Sequence, residues 1–109
     1  MLINPFAAIK IRFQARRLIS CGLFDSRWHG QKYPESKPGK ANPAVRWLRS
    51  GWTLGENPHP YFDTNWYLSR NPDVVEAGIN PLIHYLEFGA SELRDPHPGF
   101  HTKWYVNEY

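Results

Sequence analysis

The sequence predicts an all-α fold, in which one amino-terminal helix precedes short helices arranged in repeats of thirty-eight residues each. Three observations support this prediction. One stretch of the chain repeats without a gap, Asn-Pro and Gly residues recur where short helices begin and end, and the apolar residues between them follow helical spacing. The 109 residues are 41% hydrophobic, which is enough for one domain with a core. Large catalytic architectures such as the α/β barrel, which needs about 200–250 residues, are excluded.

The repeat aligns residues 24–61 with residues 62–99, and eleven of the aligned positions are identical. In the second copy the identical residues are Phe62, Asp63, Trp66, Pro72, Asn80, Pro81, Leu86, Gly89, Pro96, His97 and Pro98. The predicted organisation is an amphipathic helix over residues 1–23, a degraded first repeat over 24–61, a second repeat over 62–99 and a truncated third copy over 100–109. We expect the truncated copy to favour self-association, because Trp104 and Tyr105 have few neighbours to bury them.

The first helix is predicted over residues 5–20, since Asn4-Pro5 is typical of a helix start and Gly22 of a helix end. It carries two apolar stripes. The broader stripe consists of Ile11, Ala15, Leu18 and Ile19, and the second consists of Phe6, Ile9 and Phe13, with Lys10 and Arg17 on one side and Arg12 and Arg16 on the other. We expect one stripe to pack on the repeats and the other to contact a neighbouring copy or an anionic membrane surface.

The first repeat keeps its last helix, which runs from Asn42-Pro43 to Gly51. Residues 35–41 contain Pro and Gly, which cost roughly 3 and 1 kcal/mol inside a helix, so an exposed basic loop is expected there. Trp28, Trp66 and Trp104 occupy equivalent positions in the three copies. We predict that each indole is the main buried anchor of its repeat.

The second repeat is predicted to hold helices over residues 63–70, 72–77 and 81–88. The side chains of Asp63, Asn71 and Asn80 are expected to cap them, because Asx side chains accept hydrogen bonds from the first turn of a helix. Gly78 and Gly89 are expected to end helices in the left-handed conformation. Pro96 and Pro98 then exclude helix from the turn that follows.

These motifs resemble a known family of repeats. The pattern Phe62-Asp63-x-x-Trp66-Tyr67-Leu68-x-x-Asn71-Pro72-Asp73-Val74, followed by Ala77-Gly78-x-Asn80-Pro81-Leu82-x-His84-Tyr85-Leu86-x-x-Gly89, is similar to a helical tandem repeat of bacterial polysaccharide-synthesis proteins. That repeat occurs beside glycosyltransferase domains, including rhamnan-synthesis-type enzymes. The resemblance covers residues 20–109, with Leu93 where the family usually has Gly and His101 where it has Asp. It implies an accessory module rather than the catalytic part.

The sequence predicts no catalytic, cofactor-binding or metal-ligating residues. It has no Asp-x-Asp pair, no Gly-rich phosphate loop and no nucleophile elbow. His59 and His97 each stand in Pro-His-Pro and are predicted to shape a turn, while His84 is predicted to be a packed surface histidine. His97 and His101 have the spacing of a helical zinc pair, but Pro98-Gly99 between them excludes a regular helix. Cys21 is predicted to be a small apolar packing residue.

The charge of the chain is asymmetric, with a net +8 over residues 1–55 and −5 over residues 56–109. The candidate interaction surface comprises Phe6, Ile9, Phe13, Arg12, Arg16, Arg46, Arg49 and Trp52. Its partner is expected to be a glycosyltransferase, a polysaccharide-assembly protein or a second copy, whereas nucleic acid is not favoured, because exposed aromatic residues do not alternate with basic ones beyond Arg46–Trp52.

The leading hypothesis is a non-catalytic helical-repeat interaction module associated with a glycosyltransferase of bacterial surface-polysaccharide biosynthesis. One alternative is a peripheral membrane- or glycan-binding module that uses the basic amino-terminal half. Another is a fragment of a glycosyltransferase. The expected location is the cytoplasm, because no secretory signal or membrane span is evident in the sequence. Under the peripheral-membrane alternative, the protein would lie at the inner membrane.

Overall fold

The computed structural model describes residues 5–34 and 42–104, and within these ranges it is helical, as predicted. The helices are α1 (Pro5–Ser20), α2 (Ser26–Lys32), α3 (Pro43–Arg49), α4 (Thr64–Arg70), α5 (Pro72–Ala77) and α6 (Pro81–His84). A 3₁₀ turn, Gly51–Leu54, follows α3, and a π-helical turn, Tyr85–Gly89, continues α6. The predicted helix over 81–88 is therefore α-helical only in its first half. The predicted basic loop at 35–41, the Asn4 cap and Tyr105 lie outside the described residues.

Helix α1 has the predicted bounds and ends before Gly22, which is left-handed with φ of 79°. The backbone then reverses, because the Phe24 N–H donates to the Leu18 carbonyl at 3.1 Å. Ala15 and Leu18 are buried and Ile11 packs against the same core, where α1 contacts α3. The broader apolar stripe therefore docks on the repeats, although Ile19 at its edge is 40% exposed.

Two kinds of helix cap recur at equivalent positions of the two repeats. The carboxylates of Asp25 and Asp63 accept from the backbone N–H groups of Trp28 and Trp66 at 2.9 and 3.0 Å. The side-chain oxygens of Asn42 and Asn80 each accept from two N–H groups of the helix that follows. The predicted caps of Asp63 and Asn80 are confirmed.

The turns after these helices also make the same contacts in both repeats. The N–H of Asp25 donates to the Pro58 carbonyl at 3.0 Å, and that of Asp63 donates to the Pro96 carbonyl at 2.9 Å. The Nδ1 atoms of His59 and His97 each accept a backbone N–H two residues ahead. The predicted role of both histidines in shaping a turn is confirmed.

The core is not built on the predicted indoles. Trp104 is 60% exposed, and Trp28 and Trp66 are only half-buried. In each repeat this Trp is the third residue after the capping Asp, which leaves it at the edge of the helix, and the next residue points into the core. The fully buried large side chains include Trp47, Tyr67, Phe62, Leu18 and Leu82.

The predicted roles of Asn71 and Gly89 are wrong, because each residue contacts a side chain that is distant along the chain. Asn71 does not cap α5, because its amide donates to the Tyr67 carbonyl at 2.7 Å and its oxygen accepts from Arg94 at 2.9 Å. Gly78 is left-handed with φ of 68°, as predicted, but Gly89 is not. A Cβ atom at Gly89 would overlap the Tyr67 hydroxyl, so glycine is required there for space.

The turn after Gly89 contains a strained residue. Leu93 has φ of 61°, and it is the one non-glycine residue with a positive φ among those described. The equivalent residue of the first repeat is Gly55, with φ of 82°. A left-handed conformation costs a side-chain-bearing residue about 1–2 kcal/mol, so the surrounding turn holds Leu93 in place.

Candidate interaction surface

The side of α1 opposite the core exposes three large apolar side chains. Phe6, Ile9 and Phe13 are 79%, 51% and 65% exposed and follow the i, i+3, i+7 spacing that places residues on one helix face. We define the α1 outer face as these three residues together with Lys10, Arg12, Arg16 and Arg17. Single exposed apolar residues are common, but a row of three on one helix is typical of a contact surface.

The charge on the α1 outer face is positive only. Four basic residues and no acidic residue lie on α1, and the four cations are exposed. Arg17 forms an ion pair with Glu87, which lies in the π-helical turn of the second repeat. An exposed pair of this kind contributes about 0–1 kcal/mol, so it joins α1 to the second repeat only weakly.

Two open grooves border the α1 outer face. One is lined by the apolar row, by Lys10 and Arg17, and by Glu87 on its far side. The other lies between Arg12 and Arg16 of α1 and Asn42 and Val45 at the start of α3. The apolar row therefore lines one open groove and lies near a second, and both grooves have cationic edges. Open grooves of this kind suit an extended partner rather than a small enclosed ligand.

The remaining residues of the predicted interaction surface have different surroundings. Arg49 is exposed and Arg46 is half-buried, both on α3. Trp52 packs against the hydrophobic core, and its indole N–H donates to the Leu48 carbonyl at 3.1 Å. Trp52 is therefore only partly exposed, and its role as a surface contact stays a prediction.

Inside the first repeat lies a buried polar pair that no sequence motif predicts. The Nε2 atom of His29 lies 2.9 Å from a carboxylate oxygen of Glu56, and both residues are buried. The backbone carbonyl of Glu56 accepts from the Trp47 indole at 2.7 Å and from the Thr64 hydroxyl at 2.9 Å. These bonds fix the end of the first repeat against the start of the second. The only sequence signal was an acidic residue where the second repeat has Arg94.

The second repeat holds a different polar cluster. The Tyr67 hydroxyl shares a hydrogen bond of 2.7 Å with Nδ1 of His84, and both side chains are buried. Burial raises the pKa of Tyr67 above its ordinary value, and burial, assisted by the nearby Arg94 cation, lowers the pKa of His84. Arg94 itself binds Asp73 through two hydrogen bonds of 2.9 and 3.0 Å. That pairing lowers the pKa of the exposed Asp73 carboxyl.

The Tyr67 and His84 side chains of this cluster are packed inside the fold. A phenol and an imidazole can exchange a proton, but a substrate has to reach them, and both are closed off from solvent. His84 is buried, whereas the sequence predicts a packed histidine at the surface. Cys21 is exposed and so does not have the predicted packing role. Among residues 5–34 and 42–104, no group of three His, Cys, Asp or Glu side chains could hold a metal ion.

No helix in the described part of the chain combines the length and apolar character that crossing a bilayer requires. No family model, curated protein or solved structure matches this chain. The resemblance to polysaccharide-synthesis repeats therefore stays a prediction from the sequence motifs. The feature that the geometry singles out is the α1 outer face.

Proposed function

We propose that this chain is a non-catalytic helical-repeat interaction module associated with a glycosyltransferase of bacterial surface-polysaccharide biosynthesis. The observation that carries the proposal is the α1 outer face, which presents Ile9 and Phe13 to solvent between flanking cations. Removing such side chains from water is favourable, by about 25 cal/mol per Å² of apolar surface. A surface of this kind indicates a chain that works in contact with another molecule or surface rather than alone.

The interior supports the same proposal. The buried ionisable groups described above bond to one another, as in the pairs His29–Glu56 and Tyr67–His84. A buried polar group that already has a partner rigidifies a fold. The module would therefore act as a rigid body that positions another protein. The transferase enters the proposal through the sequence resemblance of residues 20–109.

The test is capture of the partner from the source cells. The full chain, carrying an affinity tag, is expressed there and recovered from a detergent extract, in which no intact bilayer remains to join two proteins. We expect mass spectrometry to identify a glycosyltransferase or another polysaccharide-assembly protein. Recovery of neither would contradict the proposal.

The matched control is Gly89→Val, which places side-chain atoms where the Tyr67 hydroxyl lies and so disrupts the second repeat. We expect this variant to recover less of the transferase than the wild-type chain does. Equal recovery would show that the capture does not depend on the folded repeats, and this result would also contradict the proposal.

A further inference from the structure

The α1 outer face combines two chemical features that need different surroundings. Ile9 and Phe13 are more than half exposed, and apolar surface of this kind is most stable away from water. Arg12 and Arg16 on one flank and Lys10 on the other are cations that need water or anions around them. An occupant of this face has to offer an apolar interior and an anionic border at the same place.

Two candidate occupants lack one of these features. A second copy joined by two-fold symmetry would place the same cations against each other, and such like-charge contacts are unfavourable. The acidic residue that borders the face, Glu87, is already paired with Arg17. A soluble polyanion would satisfy the cations and leave Ile9 and Phe13 in water.

We propose that the α1 outer face binds the surface of an anionic lipid bilayer. Lipid phosphates would pair with Arg12, Arg16 and Lys10, while Ile9 and Phe13 enter the boundary between headgroups and acyl chains. The inference rests on the proposed function, because the bilayer contact would hold the module and its transferase at a membrane.

The geometry of α1 fits this contact. Its 16 residues form a rod of about 24 Å that can lie in the plane of the interface. Ala15 and Leu18 on the opposite side stay buried against the repeats, so the helix need not leave the core in order to bind. The long side chains of Arg12 and Arg16 can reach the phosphates while their stems lie on apolar surface.

Vesicle flotation with the full chain tests the proposal. We expect the protein to float at low salt with vesicles that mix phosphatidylglycerol into phosphatidylcholine as the minor lipid, and not with vesicles of phosphatidylcholine alone. Raising the salt from about 0.1 M to about 0.5 M should weaken binding at least threefold, because it screens the cations. The double variants Ile9→Gln/Phe13→Gln and Arg12→Gln/Arg16→Gln should each lower the partition coefficient at least tenfold.

The matched control is Leu54→Gln/Val75→Gln, which removes two exposed apolar side chains that do not belong to α1. We expect this control to float like the wild type. All variants are compared only after circular dichroism shows wild-type helicity and thermal unfolding.

A fluorescent label reports insertion directly. Cys21 is the only cysteine of the chain, so Cys21→Ser provides a background in which Ile9→Cys carries a single environment-sensitive dye. We expect a blue shift of its emission on addition of the anionic vesicles and no shift for the same dye at Val75→Cys. Equal shifts at both positions would overturn the orientation.

Three results would overturn the proposal: no flotation with anionic vesicles, flotation that the α1 variants do not weaken, or loss of binding to the purified transferase in detergent solution by the Ile9→Gln/Phe13→Gln variant. The last result would assign the face to the protein partner. If the transferase is still captured in detergent while flotation fails, only the bilayer inference is wrong. If flotation succeeds while no transferase is captured, the proposed function is wrong.

Discussion

Replacing Gly89 with Ala tests the packing of the second repeat most directly. The new Cβ would overlap the buried Tyr67 hydroxyl and lie 3.2 Å from Cδ1 of Tyr85. Overpacking of this kind costs typically about 1–3 kcal/mol, and displacing Tyr67 would also weaken its hydrogen bond to His84. Against this, Ala is favoured over Gly in a helical position by about 1 kcal/mol. We therefore expect Gly89→Ala to lower the free energy of unfolding by about 2 kcal/mol.

A double-mutant cycle with Tyr67→Phe isolates the cause. Removing the hydroxyl leaves the ring carbon Cζ at 3.5 Å from the new Cβ, which is an ordinary contact. Tyr67→Phe alone should cost about 1–2 kcal/mol, because His84 loses its partner. In that background the helix propensity of Ala should raise the free energy of unfolding by about 1 kcal/mol, so the coupling energy should be about 3 kcal/mol.

The assay is urea unfolding followed by circular dichroism, with unchanged m-values required for the comparison. Gly78→Ala is the control, since its Cβ would meet no atom within 4 Å and its φ of 68° should alone cost about 1 kcal/mol in both backgrounds. Equal costs of Gly89→Ala with and without the Tyr67 hydroxyl would refute the steric explanation.

Three further predictions concern strain, capping and pH. Leu93→Gly should raise the free energy of unfolding by about 0.5–1 kcal/mol in urea, because relief of the left-handed strain exceeds the added freedom of the unfolded chain; a loss of stability would contradict this. Asp63→Ala should lower the free energy of unfolding by about 1 kcal/mol, because the Trp66 N–H loses its acceptor. Asp63→Asn should lower it by only about 0.3 kcal/mol, because the Asn side-chain oxygen can accept the same bond. The pKa of His84 is lowered by burial from its ordinary value of 6.5, so the neutral ring stabilises the fold fully above about pH 6.5 and this contribution falls as the pH drops below that value. Urea unfolding between pH 7.5 and 5 should show this decline, with a smaller slope in His84→Gln; an unchanged slope would exclude His84 as its source.

The caps could be predicted from sequence because their partners are local. Asp63 bonds to a backbone group three residues ahead, and Asn80 bonds to groups two and three residues ahead. Asn71 has the same sequence signal, but its oxygen is taken by Arg94, which is far away along the chain. No local pattern identifies that competitor.

The burial of the aromatic residues was harder to predict than the helices. Large side chains are the expected anchors, yet Trp66 lies at the helix edge with Arg70 over its ring, and its neighbour Tyr67 fills the core. Glycine has two physical roles, conformational freedom and small size, and the sequence around Gly89 predicts the first, whereas the structure requires the second. The position of the Tyr67 hydroxyl in the structure shows which of the two roles applies at Gly89.

The candidate surface followed from helical periodicity alone. The spacing of Phe6, Ile9 and Phe13 sets them on the face opposite Ala15 and Leu18, and no long-range information is needed to place them. Helical periodicity does not identify the pairing of Arg17 with Glu87, because that ion pair depends on how α1 lies against the second repeat. For the same reason, periodicity does not show that Trp52 packs against the hydrophobic core.

The polar pairs inside the two repeats also affect how the chain finds its register during folding. Helices α2 and α4 are capped alike, so an early intermediate could dock either one beside the other's neighbours. Such a slip would leave the Glu56 carboxylate facing a phenol and would leave His84 without Tyr67. The hydrogen bonds of both native pairs would be lost, at a cost of about 0.5–1.5 kcal/mol each. The unlike interiors thus favour one position for each of these two similarly capped helices.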